Sequence, residues 1–282
     1  MARRRRKSRR LSGALRWTVR IVLLLIVADL LYLATIWPDW KQLAVGPVPK
    51  SSFIAVYEQR LDDKDWPRLR WSPVPLAQLP EHLQRAALLA EDIRFYQHSG
   101  FDLIALKEAL DKNLERRELA IGGSTISQQT AKNLFLSPAR NPVRKWHELI
   151  LTVGMEQNLS KRRILEIYLN TAEFGRGIYG VEAAARHYWG IPASQLNVVQ
   201  SAELVAALPS PVKHNPLSRT PAYERRVTKI VNLLARQYPI PGDTGVSRGE
   251  TAPGGPPEAG APAPPDAPAP IDDHPAPGLR II

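Results

Sequence analysis

Gly122-Gly-Ser-Thr-Ile-Ser-Gln-Gln-Thr-Ala-Lys-Asn133 places a helix-breaking glycine pair directly before a strong helix start. Thr125 and Gln128 have the spacing of a capping box, in which each side chain accepts a hydrogen bond from the other residue's backbone N–H. The spacing therefore predicts a helix from Thr125 to about Phe135. A helix start that follows flexible glycines and carries Lys132 suits a bound anion or sugar. A polar helix start on a solvated face is the alternative.

Helical spacing of apolar residues continues on both sides of this segment. Prolines punctuate residues 41–75, and the aliphatic and aromatic run at 52–57 predicts a short strand. The fold class is expected to be mainly α, with one domain over 45–240. Residues 241–282 are rich in Pro, Ala and Gly, which predicts a disordered tail. The predicted helices are 80–94, 102–119, 125–135, 141–158, 160–169, 181–189, 198–208 and 221–238.

The basic charge is concentrated at the N-terminus. The chain carries +11, and residues 1–20 hold nine Lys and Arg and no acid, so +2 is left for the remainder. A polyanion-binding domain would need a basic face on its folded part, which argues against nucleic acid as a partner. The chain has no cysteine, which excludes a disulfide framework, a cysteine metal site and a thiol nucleophile.

An apolar run over residues 21–37 follows the basic segment and has the length of a bilayer-spanning helix. Trp17 and Trp37 suit the two interfaces, and the Lys/Arg asymmetry places the N-terminus in the cytoplasm. A cleaved signal peptide is the alternative, but the apolar run is long for one, and no small-x-small site precedes Pro38. We expect a basic cytoplasmic segment at 1–20, an uncleaved membrane helix at 21–37 and an extracytoplasmic domain.

Asp29 lies in the middle of this apolar run. A carboxylate there costs about 2.5–3.5 kcal/mol on insertion scales. Contact with a partner's transmembrane helix is one interpretation. A protonated or snorkelling side chain in a tolerant span is the other, and we favour it from the sequence.

Two carboxylates are candidate catalytic groups. Glu91 ends an Ala/Leu-rich helix beside Phe95 and Tyr96, where apolar surroundings should raise its pKa, as a base working near neutrality requires. Glu148 follows Arg144 and Lys145. Read alone, Glu91 could be a surface residue ending a helix, and Glu148 a member of an ion pair on a solvated face.

Five sequence runs within residues 80–216, about half the chain, belong together. They are Glu91-Asp-Ile-Arg-Phe-Tyr-Gln-His-Ser-Gly-Phe-Asp102, Gly123-Ser-Thr-Ile-Ser-Gln-Gln-Thr-Ala-Lys-Asn133, Arg144-Lys-Trp-His-Glu148, Lys161-Arg-Arg-Ile-Leu-Glu-Ile-Tyr-Leu-Asn170 with Glu173-Phe-Gly175, and Ala202-Glu-Leu-Val-Ala-Ala-Leu-Pro209. In this order they resemble the runs of the peptidoglycan glycosyltransferases, which polymerise a lipid-linked disaccharide into glycan strands. The resemblance implies a mainly α, lysozyme-like glycosyltransferase domain with a small membrane-proximal lobe near 105–140, preceded by one N-terminal transmembrane helix.

The resemblance also implies a role for each matched residue. Glu91 would be the general base for the acceptor sugar's 4-hydroxyl, and Glu148 the second essential acid, near the leaving diphosphate. Lys132 and Arg140 would be cations placed against that diphosphate. The other residues that the resemblance assigns to substrate binding are Ser124, Gln128, Gln129, Asn133, Arg144 and Lys145.

The implied substrate is lipid-linked disaccharide-pentapeptide (lipid II), joined to the growing glycan strand with inversion and release of polyprenyl diphosphate. The implied location is the bacterial inner membrane, with the catalytic domain periplasmic. Other cell-wall synthesis or division proteins are candidate partners. No cofactor is required, although Glu148 beside a diphosphate could accommodate Mg²⁺. The sequence itself leaves the metal site unknown.

Two departures and two alternatives remain. Bifunctional relatives carry a second, penicillin-binding domain with a Ser-x-x-Lys nucleophile motif, and Ser210-Pro-Val-Lys213 has that form. No Lys-Thr-Gly motif occurs, which indicates an enzyme with the glycosyltransferase domain alone. His214 stands where the resemblance leads us to expect an aromatic residue before Asn-Pro. A lysozyme-like glycan-cleaving enzyme using Glu91 as its acid is the first alternative. A non-catalytic wall-synthesis scaffold is the second.

Overall fold

The computed structural model describes residues 2–61, 66–116, 123–138 and 142–236, and all of them belong to one compact unit. The tail predicted at 241–282 lies outside the described residues. The helices are α1 Ala2–Thr35, α2 Trp40–Val45, α3 Ser52–Gln59, α4 Glu81–Glu91, α5 Leu103–Arg116, α6 Ile126–Phe135, α7 Pro142–Asn158, α8 Lys161–Thr171, α9 Val181–Trp189, α10 Val198–Ala207 and α11 Pro221–Ala235.

Three very short strands form one small sheet beside the helices. They are β1 Arg70–Trp71, β2 Glu173–Gly175 and β3 Ile178–Tyr179. The strand order is β1-β3-β2, with β1 parallel and β2 antiparallel to β3. The prediction of a mainly α fold is confirmed, since helices make up nearly all of the regular structure.

The predicted strand at 52–57 is wrong, because these residues lie in α3. Ser51 caps this helix, its Oγ accepting a hydrogen bond from the backbone N–H of Ile54 at 3.2 Å. Ile54 and Tyr57, three residues apart, are buried on one face of the helix. The β-branched and aromatic composition suggested a strand, but the burial follows the helical period.

The capping box at Thr125 and Gln128 is confirmed and begins α6. The backbone N–H of Gln128 donates to Thr125 Oγ1 at 3.2 Å, and the backbone N–H of Thr125 donates to Gln128 Oε1 at 3.0 Å. The helix packs against α3, α7 and α8. Its orientation is therefore fixed by a cap at one end and by buried contacts along its length.

The N-terminal helix contains a segment, Leu15–Thr35, that is long and apolar enough to cross a membrane, with a mean hydropathy of 2.1. Most of its side chains are exposed to the surroundings, whereas Leu33 is buried near its C-terminal end. The helix therefore meets the rest of the protein near that end.

A fully buried asparagine on α8 holds the segment that leads into α4. Asn170 Oδ1 accepts from the Val74 N–H at 2.8 Å, and Asn170 Nδ2 donates to the carbonyls of Val74 at 2.9 Å and Glu166 at 2.8 Å. The Trp71 indole N–H donates to the Asn170 carbonyl at 2.9 Å. These bonds connect β1 and the following loop to α8.

Replacing Asn170 with Leu should lower the free energy of unfolding by about 2–4 kcal/mol, because the part-buried backbone N–H and carbonyl of Val74 would lose their partners and the buried amide would be lost. Thermal unfolding followed by circular dichroism should show a lower midpoint. Asn158→Ala is the matched control, since Asn158 makes one side-chain bond at the exposed end of α7. Equal midpoints for the two variants would contradict a special contribution from Asn170.

Candidate active site

The carboxylate of Glu91 lies where three helices meet. Glu91 ends α4, and its Oε2 accepts a hydrogen bond from Gln129 Nε2 on α6 at 2.9 Å. Its Oε1 accepts from Arg226 Nη2 on α11 at 2.5 Å. Only 12% of the Glu91 side chain is exposed. The group is therefore nearly buried and held on both oxygens, which excludes the interpretation of a surface residue ending a helix.

Burial raises the pKa of Glu91 above the usual glutamate value. The positive charge of Arg226 and the hydrogen bonds from Gln129 and Arg226 act in the opposite direction, but they offset the burial only in part. A carboxylate with a raised pKa accepts a proton more readily than an ordinary glutamate when it is ionised. The elevation expected from the apolar surroundings of Glu91 is confirmed.

A buried tyrosine orients the amide that contacts Glu91. The Tyr168 hydroxyl on α8 donates to Gln129 Oε1 at 3.4 Å, which leaves Gln129 Nε2 directed at the carboxylate. Burial raises the pKa of Tyr168 well above its usual value, and the charge of Glu91 acts in the same direction. Tyr168 therefore stays protonated as a donor.

Asp92 connects the end of α4 to the start of α6. Its Oδ2 accepts the backbone N–H of Ile126 at 3.0 Å, and its Oδ1 lies 2.9 Å from His98 Nε2. Both side chains are almost completely buried. The residue next to Glu91 therefore fixes the distance between α4, which carries the candidate base, and the first turn of α6.

A second charged cluster surrounds Glu148 on α7. Glu148 is 4% exposed, and its Oε1 accepts a short hydrogen bond from Lys145 Nζ. This burial contradicts the interpretation of a solvated ion pair for Glu148. Arg144, one turn before Glu148, is half-buried, and it acts electrostatically on Lys132 together with Lys145 and Glu148.

Lys132 on α6 interacts electrostatically with both carboxylates, Glu91 and Glu148. Burial lowers its pKa most, and Arg144 and Lys145 lower it further, whereas Glu148 and Glu91 raise it. A cation held among other cations is stabilised by an incoming anion, because the anion offsets their mutual repulsion. The cluster is therefore suited to a diphosphate.

The remaining predicted substrate-binding residues differ in their positions. Ser124 and Gln128 line a largely apolar cavity of about 600 Å³ with Lys145, and the Oε1 of Gln128 is engaged in the cap of α6. Asn133 is half-buried, and its carbonyl accepts from Ser52 Oγ at 3.0 Å. Arg140 lies outside the described residues. The apolar walls of the cavity include Leu103, Leu106, Trp146, Leu149, Ile150 and Val153.

The carboxylates of the site do not form a divalent-cation site in the part of the chain that the structure describes. Within the described ranges, no group of three or more His, Asp or Glu side chains could hold a metal ion. Glu148 is also paired with Lys145. An all-protein Mg²⁺ site does not fit these residues.

Sequence reasoning missed three residues that contact or support the site. Arg226 is 135 positions from Glu91 in sequence, and no local pattern reveals the contact. The Tyr168 ring fits the apolar face of α8, but the pattern does not reveal that its hydroxyl reaches Gln129. Asp92 adjoins Glu91, and its bond to the backbone of α6 is likewise invisible in the sequence. A search for buried polar groups on the predicted helices could have identified Tyr168 and Asp92.

Comparison with known proteins gives one consistent result. The family model described as Transglycosylase matches residues 62–235. The biosynthetic peptidoglycan transglycosylase of Nitrosospira multiformis is 41% identical over 223 residues, covering 78% of this chain and 96% of the relative. The protein of the same name from Laribacter hongkongensis is 40% identical over 228 residues, covering 80% and 100%. That of Azoarcus sp. is 53% identical over 147 residues, covering 52% and 64%.

Proposed function

Because this chain belongs to the family of biosynthetic peptidoglycan transglycosylases and has its mainly α, lysozyme-like domain, we propose that it polymerises lipid II into glycan strands at the outer face of the bacterial inner membrane. The pairing of two unlike carboxylates carries this proposal. Glu91 is buried with a raised pKa, whereas Glu148 lies among cations. One suits proton removal, and the other suits a site for a charged leaving group.

Glu91 acts as the general base. The 4-hydroxyl of the acceptor sugar is a poor nucleophile, so a group must take its proton as the new bond forms. One oxygen of Glu91 accepts from Gln129 and the other from Arg226, so the carboxylate is held in a fixed orientation. Each carboxylate oxygen has a further lone pair for the incoming proton.

The cations around Glu148 stabilise the departing diphosphate. As the bond to the donor's anomeric carbon breaks, negative charge grows on the diphosphate oxygens, and preorganised Lys132, Arg144 and Lys145 offset it. Arg140 joins this set by the family resemblance. Attack from the side opposite the leaving group converts the α linkage to β in one step and releases polyprenyl diphosphate, without a covalent enzyme intermediate.

The membrane helix explains how such an enzyme meets its substrate. The segment Leu15–Thr35 has the length and hydropathy of a membrane span, and the basic residues before it support a cytoplasmic N-terminus. The domain is then periplasmic, at the surface where a polyprenyl-linked substrate is exposed. A tether of this kind raises the effective concentration of a lipid-bound substrate.

Two substrates separate polymerisation from cleavage. The full-length protein in detergent should convert lipid-linked disaccharide-pentapeptide into a ladder of glycan strands and should release no fragments from isolated cell-wall sacculi. Release of fragments from sacculi, with the lipid-linked substrate untouched, would establish the cleaving enzyme instead. Inactivity on both, with a substrate that a known polymerase extends, would favour the scaffold.

Arg226→Gln should move the acid limb of the pH–rate profile to higher pH. The base works only when ionised, so activity falls as the pH drops through the pKa of Glu91. Arg226 lowers that pKa, and its removal therefore lets burial raise it further. The measurement is the turnover number for lipid II between pH 5 and 9.

Arg225→Gln is the matched control for this variant, because Arg225 is an exposed neighbour on α11 that carries the same charge. Its acid limb should coincide with that of the wild type. Superimposable limbs for Arg226→Gln and Arg225→Gln would show that the arginine contact does not tune the base.

A further inference from the structure

Asp29 of the membrane helix has a partner within its own chain. Its Oδ1 lies 2.6 Å from His147 Nε2 on α7, and 27% of the Asp29 side chain and 6% of the His147 side chain are exposed. The Tyr32 ring, one turn later on α1, lies against the same imidazole with a centroid separation of 5.0 Å. The imidazole is therefore enclosed by two side chains from one face of the membrane helix.

Asp29 lies within the apolar segment, where a carboxylate needs a partner. It lies six residues before Thr35, the end of the apolar segment, or about 9 Å along the helix axis at ~1.5 Å per residue. An unpaired carboxylate at such a depth is costly, and ionisable groups inside membrane spans pair with one another when a partner is available. The hydrogen bond to His147 supplies that partner, and it holds the first turns of α7 beside the part of α1 that carries Asp29.

A second contact, two helical turns further along α7, fixes the direction of approach. A Cβ atom built on Gly154 would lie 2.7 Å from Trp40 Cζ2 and 3.3 Å from Trp37 Cη2. Only a glycine lets the two indoles come this close to the helix backbone. The chain from Asp29 to Trp40 thus touches α7 at His147 and again at Gly154, which defines the relative orientation of α7 and this segment.

The docked stretch of α7 also carries the charged cluster of the active site. His147 directly precedes Glu148 and lies two residues after Lys145. Asp29, Tyr32, Arg144 and His147 line one cavity of about 340 Å³ between the helices. A displacement of α7 relative to α1 would therefore displace the groups that face the leaving diphosphate.

We propose that Asp29 and His147 form a lock that docks the membrane helix onto α7, so that the anchor positions Lys145 and Glu148 rather than serving only as a tether. Both residues are positioning residues, since neither needs to touch the substrate. The inference rests on the function proposed for Glu148. It replaces both interpretations of Asp29 that the sequence offered, a snorkelling side chain and a contact with another protein's helix.

The kinetic test uses the full-length protein in detergent with lipid II as substrate. Asp29→Leu should lower the turnover number about tenfold while the protein still inserts in the membrane. The variant Asp29→Leu/Leu31→Asp keeps the carboxylate in the span but moves it to an exposed position, and it should be equally impaired. The exchange Asp29→His/His147→Asp restores an acid–imidazole pair and should recover most of the activity.

Docking is tested separately from catalysis. The chain has no cysteine, so Asp29→Cys/His147→Cys carries the only two thiols and can be treated in native membranes with a short bifunctional thiol reagent. An intramolecular link between the two peptides, identified by mass spectrometry, supports docking. A link only between two chains, or no link, would overturn it.

The two readouts distinguish the possible failures. An intramolecular link combined with full activity of Asp29→Leu, or with no recovery by the exchanged pair, would overturn the positioning role and leave the proposed function intact. A link in a protein whose wild type makes no polymer would overturn the proposed function and, with it, the role assigned to the lock.

Discussion

Replacing Glu91 with Gln should reduce the rate of glycan polymerisation by about 10³-fold, within the range that a positioned general base contributes. Glutamine has nearly the same size and still accepts a hydrogen bond, but it cannot take the proton of the acceptor hydroxyl. Because Arg226 and Gln129 remain to contact the new side chain, the fold should be kept. The measurement is the initial rate of lipid II consumption.

Glu81→Gln is the matched control for this variant, because Glu81 lies in the exposed first turn of the same helix and loses the same charge. It should retain full activity. The Michaelis constant of Glu91→Gln should change little, since the lost interaction belongs to the transition state. A Glu91→Gln enzyme within tenfold of the wild type would exclude Glu91 as the base.

Replacing Lys132 with Met should slow polymerisation by about 10²–10³-fold, as expected for the loss of one preorganised charge opposite a developing anion. Methionine keeps much of the length of the side chain and removes the charge. Lys132 is half-buried and close enough to both carboxylates for each to raise its pKa. Its charge therefore acts where the diphosphate departs, and the loss should appear mainly in turnover.

Two further variants make the Lys132 experiment specific. Lys229→Met removes an exposed lysine from α11 and should behave like the wild type. Lys132→Arg keeps the charge and should recover part of the rate. If Lys132→Met polymerised lipid II at the wild-type rate, Lys132 would not be stabilising the leaving group.

The sequence predicted the parts of the fold that depend on local chemistry. The capping box at Thr125 and the helix at 160–169 could both be predicted, because a cap or an amphipathic face is encoded within a few residues. The strand predicted at 52–57 failed because burial on α3 is set by distant packing. The two- and three-residue strands were too short to leave a pattern.

The candidate site was predictable only in part, for the same physical reason. The raised pKa of Glu91 follows from its apolar neighbours in sequence, whereas its ion pair with Arg226 depends on how α11 packs against α4. The burial of Glu148 could not be inferred from charges that resemble a solvated pair. The partner of Asp29 lies 118 residues away, so only the three-dimensional structure reveals it.

The central claim is that the protein polymerises lipid II with inversion, and incubation of the detergent-solubilised protein with lipid-linked disaccharide-pentapeptide tests it most directly. The product is resolved on a glycan-length gel before and after digestion by a muramidase specific for β linkages. We expect a ladder of polymer from the wild type that the muramidase removes, and none from Glu91→Gln. An undigestible polymer would contradict inversion at the anomeric carbon. No polymer from the folded wild type, with substrate that a known polymerase extends, would contradict the proposed reaction.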